Sequence, residues 1–280
     1  MNNMTYFEAR KWAFSIINEN KEVTEADVEF LLKKQFGFSN TDLLIHLRDS
    51  VKSDDLETFQ NNVRRLVAGE PPQYVVGEAD FYGLELLVDS RVLIPRVETE
   101  ELVEWVLTDI HGHDNPSILD VGTGSGAIAL AIKANCPLAK VNASDISADA
   151  LNVAMGNADK LKLAIDFIKS DLFDSLDDRF DVIVSNPPYI SHGELGVMDS
   201  RVKEYEPRLA LFADDDGLKV YKRLAEHVAD YLNPGGKLYL EIGYHQEDSV
   251  KQIFTTKYPE AEVTGKHDMA GNQRMIKVTF

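Results

Sequence analysis

From residue 117 onward the chain alternates short apolar runs with longer helical patterns. Strands are predicted at Ile118–Val121, Lys140–Ser144, Ala164–Ile168, Phe180–Ser185 and Lys237–Ile242, with helical patterns at Ala127–Asn135, Ala148–Ala158 and Leu218–Leu232. Continuous apolar runs belong to strands covered on both sides, and crossover-length helices between strands lead to parallel pairing. The alternation therefore implies an α/β domain whose helices cover both faces of one sheet. Two later runs, Ala261–Thr264 and Met275–Phe280, have no crossover helix between them and are expected to pair antiparallel at one end of that sheet.

Residues 1–75 follow a helical regime instead. Thr5 and Glu8 have capping-box spacing, and Tyr6, Ala9, Ala13, Ile16 and Ile17 recur at helical steps; Thr24 and Asp27 repeat the signal before Val28, Leu31 and Leu32. Further stripes run through Leu43, Leu44 and Leu47, then through Leu56, Phe59, Val63, Leu66 and Val67, until Gly69 and Pro71-Pro72 stop the pattern. Short helices are unstable alone and must bury their stripes against one another, so a small helical domain is expected. Over residues 76–94, Phe81–Val88 and Val92–Ile94 read as extended, with Asp89-Ser90 available for the turn of a linking hairpin. Pro95 ends that segment, and residues 95–280 form the α/β domain, beginning with a helix from Glu98–Glu101 through Leu107.

The first junction of the α/β pattern carries chemistry. Gly122-Thr123-Gly124-Ser125-Gly126 follows a strand and opens a helix; alternating glycines permit a sharp turn and leave no side-chain bulk where a ligand approaches. No Lys-Ser/Thr pair follows, which argues against a Walker phosphate loop. Asp145, at the end of the next strand, stands where a carboxylate meets ribose hydroxyls. Asp171, at the tip of the third strand, is placed to accept from an adenine amino group, with Leu172 beside the ring. Taken alone, Asp171 reads equally well as a helix cap or loop carboxylate. The whole constellation favours a nucleoside-containing cofactor over a bare tight turn, yet S-adenosylmethionine and NAD both satisfy it.

The fourth strand runs into Asn186-Pro187-Pro188-Tyr189. Two successive prolines fix φ and remove two amide donors, Asn186 adds an amide that accepts and donates, and Tyr189 adds a rigid wall. At the C-terminal edge of a parallel sheet, this is a pocket for a planar group bearing an N–H₂. Amide and aryl-amine nitrogens are poor nucleophiles because their lone pair is shared with a π system. Acceptors on the two hydrogens, from the Asn186 side chain and the Pro187 carbonyl, aim such a nitrogen at an electrophilic methyl and stabilise the positive charge that develops. Hydride transfer gives no comparable reason for the loop, so it decides in favour of methyl transfer.

With these residues in hand, the chain resembles the peptide chain release factor glutamine N5-methyltransferases along nearly its whole length. The resemblance rests on Gly69-Glu70-Pro71-Pro72-Gln73-Tyr74, Phe81-Tyr82-Gly83, Leu93-Ile94-Pro95-Arg96-Val97-Glu98-Thr99-Glu100, Asp120–Gly126, Asn186–Tyr189 and Glu206-Pro207-Arg208-Leu209-Ala210-Leu211. The Asn-Pro-Pro-Tyr motif is shared with methyltransferases acting on DNA adenine, RNA guanine and other protein glutamines, so it specifies chemistry better than substrate. The resemblance implies a doubly wound, mostly parallel, seven-stranded class I methyltransferase sheet, with an N-terminal helical bundle and a connecting β-hairpin. It further implies that Gly122, Thr123, Gly124, Ser125 and Gly126 cradle S-adenosylmethionine, that Asp145 holds the ribose, and that Asp171 and Leu172 flank adenine. Asn186 would lie between cofactor and substrate, Asn186-Pro187-Pro188-Tyr189 would grip the glutamine of a Gly-Gly-Gln loop, and Leu93 would add apolar wall. Asn186 and Pro187 are the implied catalytic pair, and release factors the implied partners. Val97 and Leu172 depart from the family's usual proline and aromatic residue without removing a polar contact.

Charge discriminates among substrates. With 29 Lys+Arg against 47 Asp+Glu, the net charge of -18 argues against a broad grip on a nucleic-acid backbone, and so against an N6-adenine methyltransferase reading. A non-catalytic binding protein that retained the cofactor fold is a further alternative. Cys136 is the one cysteine, so no internal disulfide forms, and the start at Met1-Asn2-Asn3-Met4 lacks a basic segment followed by an apolar run. A cytoplasmic monomer with no membrane segment is expected. No metal is expected either: His111 and His113 beside Asp114 lack a convergent third ligand, and His46, His192, His227, His245 and His267 form no ligand spacing. Glu98, Glu100 and Glu101 are expected to cap a helix and pair with Arg96 rather than act as an acid/base pair.

Overall fold

The computed structural model describes residues 4–17, 22–196 and 198–280; Met1, Asn2 and Asn3 of the sequence start lie outside the described residues. The first helices are α1 (Tyr6–Ile17), α2 (Glu25–Phe36), α3 (Asn40–His46), α4 (Ser53–Val67) and α5 (Pro72–Val76). They are followed by the hairpin β1 (Glu78–Phe81) and β2 (Leu84–Leu87), then α6 (Val97–Ile110), β3 (Ser117–Val121), α7 (Ala127–Asn135), β4 (Lys140–Asp145), α8 (Ala148–Leu161), β5 (Asp166–Lys169) and β6 (Phe180–Ser185). The chain continues through α9 (Ser200–Tyr205), α10 (Arg208–Leu211), α11 (Lys219–His227), β7 (Leu232–Glu241), α12 (Glu247–Lys257), β8 (Glu262–His267) and β9 (Gln273–Thr279).

These elements form two units, one running up to Glu78 with Asp199–Tyr205 added, the other holding Ala79–Met198 and Glu206–Phe280. In the first, Ala9, Ala13, Val28, Leu31, Leu32, Phe59, Val63 and Leu66 bury the expected stripes in one core. Both anticipated capping boxes form: Glu8 accepts from Thr5 N at 2.8 Å, and Thr24 and Asp27 bond reciprocally at the start of α2. A third box, Ser39 with Asp42, starts α3. Helix α9 enters this unit from far along the chain, where Arg201 meets Asp27 at 3.3 Å and Tyr205 donates to the Ala68 carbonyl at 3.0 Å.

In the second unit the strand order is β5-β4-β3-β6-β7-β9-β8. The first five are parallel; β9 pairs antiparallel with both β7 and β8, as expected from the missing crossover. Strand alternation sorts side chains between two cores. Ile118, Val182, Val184 and Tyr239 join residues of α6 and α7 on one face, whereas Leu119, Ile183, Leu238 and Leu240 join Tyr221, Leu224, Val250 and Phe254 on the other. The expected doubly wound, seven-stranded sheet is therefore present.

Several local expectations are corrected. The hairpin turns at Tyr82-Gly83, with φ of 49° and 76°, so Asp89-Ser90 is not its turn and Val92–Ile94 is not its second strand. Pro71-Pro72 does not end the helical regime, because Pro72 occupies the first turn of α5, where a missing amide costs nothing. The pattern predicted as one helix over Leu218–Leu232 is α11 followed by a 3₁₀ turn at Val228–Tyr231, after which β7 begins earlier than expected, at Leu232. Arg96 pairs with Glu206 at 2.6 Å rather than with Glu98, Glu100 or Glu101. Of those three, Glu100 accepts from Tyr82 N at 2.7 Å and Glu101 from Met269 N at 2.9 Å.

Candidate active site

The glycines of the loop after β3 do different work. Gly122, Gly124 and Gly126 all have positive φ (74°, 56° and 84°), but a Cβ on Gly122 or Gly124 would meet nothing within 4 Å, whereas one on Gly126 would lie 3.0 Å from Leu130 and 3.2 Å from Ala154. The first two leave open space before the loop, and the third lets α7 and α8 approach. The loop is pinned from below: Gly122 N and Thr123 N both donate to the Ser144 carbonyl, at 2.8 and 2.9 Å. Asn157, fully buried on α8, donates to the Ser125 carbonyl at 2.9 Å and exchanges two hydrogen bonds with the backbone of Leu87 on the hairpin.

Two carboxylates support this turn. Asp145, the last residue of β4, accepts from Gly124 N and Ser147 N, both at 2.9 Å; burial pushes its pKa up against the pull of those amides. Asp120 accepts from Thr123 Oγ1 at 2.6 Å and Ala129 N at 3.2 Å, both through Oδ2, and burial pushes its pKa up to about 7. Its Oδ1 and the Ser144 hydroxyl oxygen are buried without a hydrogen-bond partner among the described residues. Asp171 is half-exposed and bonds Arg223 at 2.9 Å, a partner the sequence reading had not provided. Leu172 beside it adopts φ 52° and packs on the apolar core of that face.

Strand β6 is the hydrogen-bonded neighbour of β3, with Ile118 opposite Val182, so the loop after β6 leaves the sheet at the same edge as the glycine loop. Ser185 reinforces this by donating to the Val121 carbonyl at 2.7 Å. Pro187 is buried; Asn186, Pro188 and Tyr189 are half-buried. On the other side of β6, Ser185 pairs with Leu240, which sets Asn186 alongside Glu241 at the end of β7. There the structure holds a buried network. Asn186 Nδ2 donates to Thr99 Oγ1 at 3.2 Å, Thr99 donates to Glu241 Oε2 at 2.6 Å, and Tyr189 donates to Glu241 Oε1 at 3.3 Å. The Glu241 backbone carbonyl takes the Tyr221 hydroxyl at 2.9 Å.

Glu241 is 1% exposed, and burial raises its pKa, opposed by the Thr99 hydrogen bond, the Arg274 charge and the Tyr189 hydroxyl. Tyr189 is pushed well above its ordinary value, first by burial and then by Glu241. Its carbonyl is held by Gln246 Nε2 at 3.0 Å, and Ile190 is fixed by backbone bonds to Leu211 and Ala213. Leu93 is half-buried between buried Val92 and Ile94, and Ile94 N donates to Glu206 at 3.4 Å.

Gly122–Gly126, Asp145, Asp171, Leu172 and Asn186–Tyr189 thus fall at or just after the C-terminal ends of β3, β4, β5 and β6, whereas Leu93 lies between β2 and α6; Thr99, Glu241, Gln246, Asn157 and Glu206 were not singled out individually as site residues. Three left a trace: Glu241 is a charge inside the apolar run of a predicted strand, and Thr99 and Glu206 lie in motifs that carry the resemblance. No group of three or more His, Cys, Asp or Glu able to hold a metal occurs among the described residues. No helix among them is long and apolar enough to cross a membrane.

Residues 8–77 match the PrmC N-terminal domain, and residues 99–205 match the Methyltransferase small domain. A release factor glutamine methyltransferase of Streptococcus pneumoniae is 46% identical over 252 residues, covering 90% of this chain and 90% of that protein. The chain belongs to the release factor glutamine methyltransferase family. A relative of the same name from Bacillus subtilis is 38% identical over 279 residues, covering 97% of this chain and 96% of its own length. Among solved structures, the hMettl16 catalytic domain in complex with MAT2A 3'UTR hairpin 1 superposes with a TM-score of 0.60 at 16% identity, covering 91% of each chain, a likeness of fold alone. Membership of this methyltransferase family implies use of S-adenosylmethionine. The open face of Gly122 and Gly124 and the unpartnered Asp120 and Ser144 oxygens fit a small, polar ligand at the glycine loop.

Proposed function

We propose that this protein transfers a methyl group from S-adenosylmethionine to the side-chain N5 of the glutamine in the Gly-Gly-Gln motif of peptide chain release factors. The observation that carries the reading is the exit of the glycine loop and the Asn186–Tyr189 loop from neighbouring strands at one sheet edge. S-adenosylmethionine supplies a methyl made electrophilic by its sulfonium. Gly122–Gly126 would hold the cofactor along the face that Gly122 and Gly124 leave open, Asp145 would meet the ribose, and Asp171 and Leu172 would flank the adenine. Since Asp145 already accepts from Gly124 N and Ser147 N, and Asp171 bonds Arg223, each carboxylate reaches the nucleoside with its remaining lone pairs.

The Asn186 amide oxygen and the Pro187 carbonyl accept the two hydrogens of the substrate amide, fix its plane, and stabilise positive charge developing on nitrogen. Tyr189 and Pro188, with Leu93, wall the pocket and exclude water. No side chain serves as a strong base, because the nitrogen loses its proton only once methylation has made it acidic. The reading includes a cytoplasmic address, where release factors work.

Mass spectrometry of a purified release factor after incubation with the protein and S-adenosylmethionine tests it. A single methyl on the Gly-Gly-Gln glutamine is expected. An unmodified glutamine, or methyl transfer to DNA or RNA offered under the same conditions, would overturn the reading.

A further inference from the structure

We propose that Thr99 and Glu241 are positioning residues that lock the Asn186 carboxamide with its oxygen turned toward the substrate, an inference that rests on the methyl-transfer reading above. A carboxamide can sit either way round, and only one way is productive: its oxygen must face the substrate N–H₂. The donor and acceptor inventory of the network fixes the choice. Ionised Glu241 has no proton to give, so the single Thr99 hydroxyl proton goes to Glu241 Oε2 at 2.6 Å. Thr99 Oγ1 then offers Asn186 only lone pairs, so Asn186 must present Nδ2, at 3.2 Å, and its Oδ1 is turned away from Thr99. Tyr189 donates to the other Glu241 oxygen at 3.3 Å, so the same carboxylate braces both ends of the Asn186–Tyr189 loop.

Stability alone does not account for Glu241. A fully buried carboxylate at the end of a central strand is a cost that an apolar residue would avoid, and such groups concentrate at functional sites. The groups facing it are Thr99 and Glu98 from α6, Tyr189 from the loop, Tyr221 from α11 and Arg274 from β9, while Arg96 acts on Tyr189. A protonated Glu241 could instead donate to Thr99, freeing the hydroxyl to donate to Asn186 and releasing the lock. Burial raises the Glu241 pKa, so the lock is lost as pH falls through that raised value.

The experiment compares Thr99→Ser, which keeps the hydroxyl, Thr99→Val, which keeps the shape, and Glu241→Gln. Two readouts are taken: kcat and KM on a release factor, and the pH response of the Asn186 side-chain ¹⁵N signals, assigned by their loss in Asn186→Ala. Thr99→Val is expected to lower kcat by about 10–100-fold with KM nearly unchanged, the scale of loss that misplacing a reacting group produces. Thr99→Ser should restore it. The Asn186 signals should follow the Glu241 titration, displaced upward from that of an ordinary carboxylate, in the wild type and Thr99→Ser, and lose it in Thr99→Val and Glu241→Gln. Equal kcat in Thr99→Ser and Thr99→Val, or an unchanged Asn186 titration in Glu241→Gln, overturns the inference. The magnetic-resonance arm needs no turnover, so it decides the lock even where a release factor left unmethylated by the wild type defeats the functional reading.

Discussion

Asn186 commits the nitrogen end of its carboxamide to Thr99, and in the proposed reaction its oxygen end is left to accept from the substrate amide. Asn186→Ala should therefore lower the single-turnover methyl-transfer rate by roughly 10²–10³-fold, the loss typical of removing one preorganised polar partner from a reacting centre. The variant should keep the far-UV spectrum of the parent; near-normal turnover would remove Asn186 from the chemistry. Asp120 calls for a different measurement. Its folded pKa of about 7 lies above the ordinary 3.8, so its contribution to stability is complete below the unfolded value and is lost as pH rises through about 7. Asp120→Asn carries no such titration. Urea unfolding of both proteins across that window should show the difference in stability moving in the variant's favour as pH rises; parallel curves would mean that Asp120 does not titrate as a buried acid.

At the scale of elements, the loop bearing Tyr189 depends on Gly217, which has φ 82° and would place a Cβ 2.0 Å from the Tyr189 carbonyl oxygen and 2.6 Å from Gln246 Nε2. Gly235 on β7 has nearly the same conformation, φ 77°, with nothing within 4 Å. Gly235→Ala should cost only the left-handed strain of about 1–2 kcal/mol. Gly217→Ala adds a collision that moves the loop, and should lose clearly more stability together with methyl transfer, as read by thermal unfolding and turnover of the pair. Local signals show where elements were legible. The Thr5/Glu8 and Thr24/Asp27 boxes were readable because capping is decided within four residues. The hairpin turn was not, because Tyr82 takes a left-handed conformation for which a tyrosine gives no warning, while Asp89-Ser90 has ordinary turn chemistry. Helices α9, α10 and α12 also went unassigned, the first two having only 6 and 4 residues in which to show a period.

Across the whole molecule, residues far apart in the chain complete each structure. Arg201 and Asp27, 174 positions apart, join within the first unit with both side chains largely buried. A double-mutant cycle of Asp27→Asn and Arg201→Gln, followed by chemical unfolding, should give a coupling of about 1–2 kcal/mol. Additivity would mean that α9 contributes nothing through this pair. The same separation explains which parts of the site could be read from sequence. Gly122–Gly126 and Asn186–Tyr189 are contiguous motifs whose chemistry is local. Thr99 and Glu241 lie 142 positions apart and meet because α6 packs against β7, a fact no single stretch of sequence contains.

Asn157 gives that long-range dependence a mechanical meaning. One side chain holds both the Leu87 backbone and the Ser125 carbonyl, so the hairpin cannot slide by even an ångström without tugging the glycine loop or stranding the Ser125 oxygen in a dry interior. The carboxyl end of the turn is therefore tied to a strand well upstream of it, and a tolerance set at one end of the pair is felt at the other.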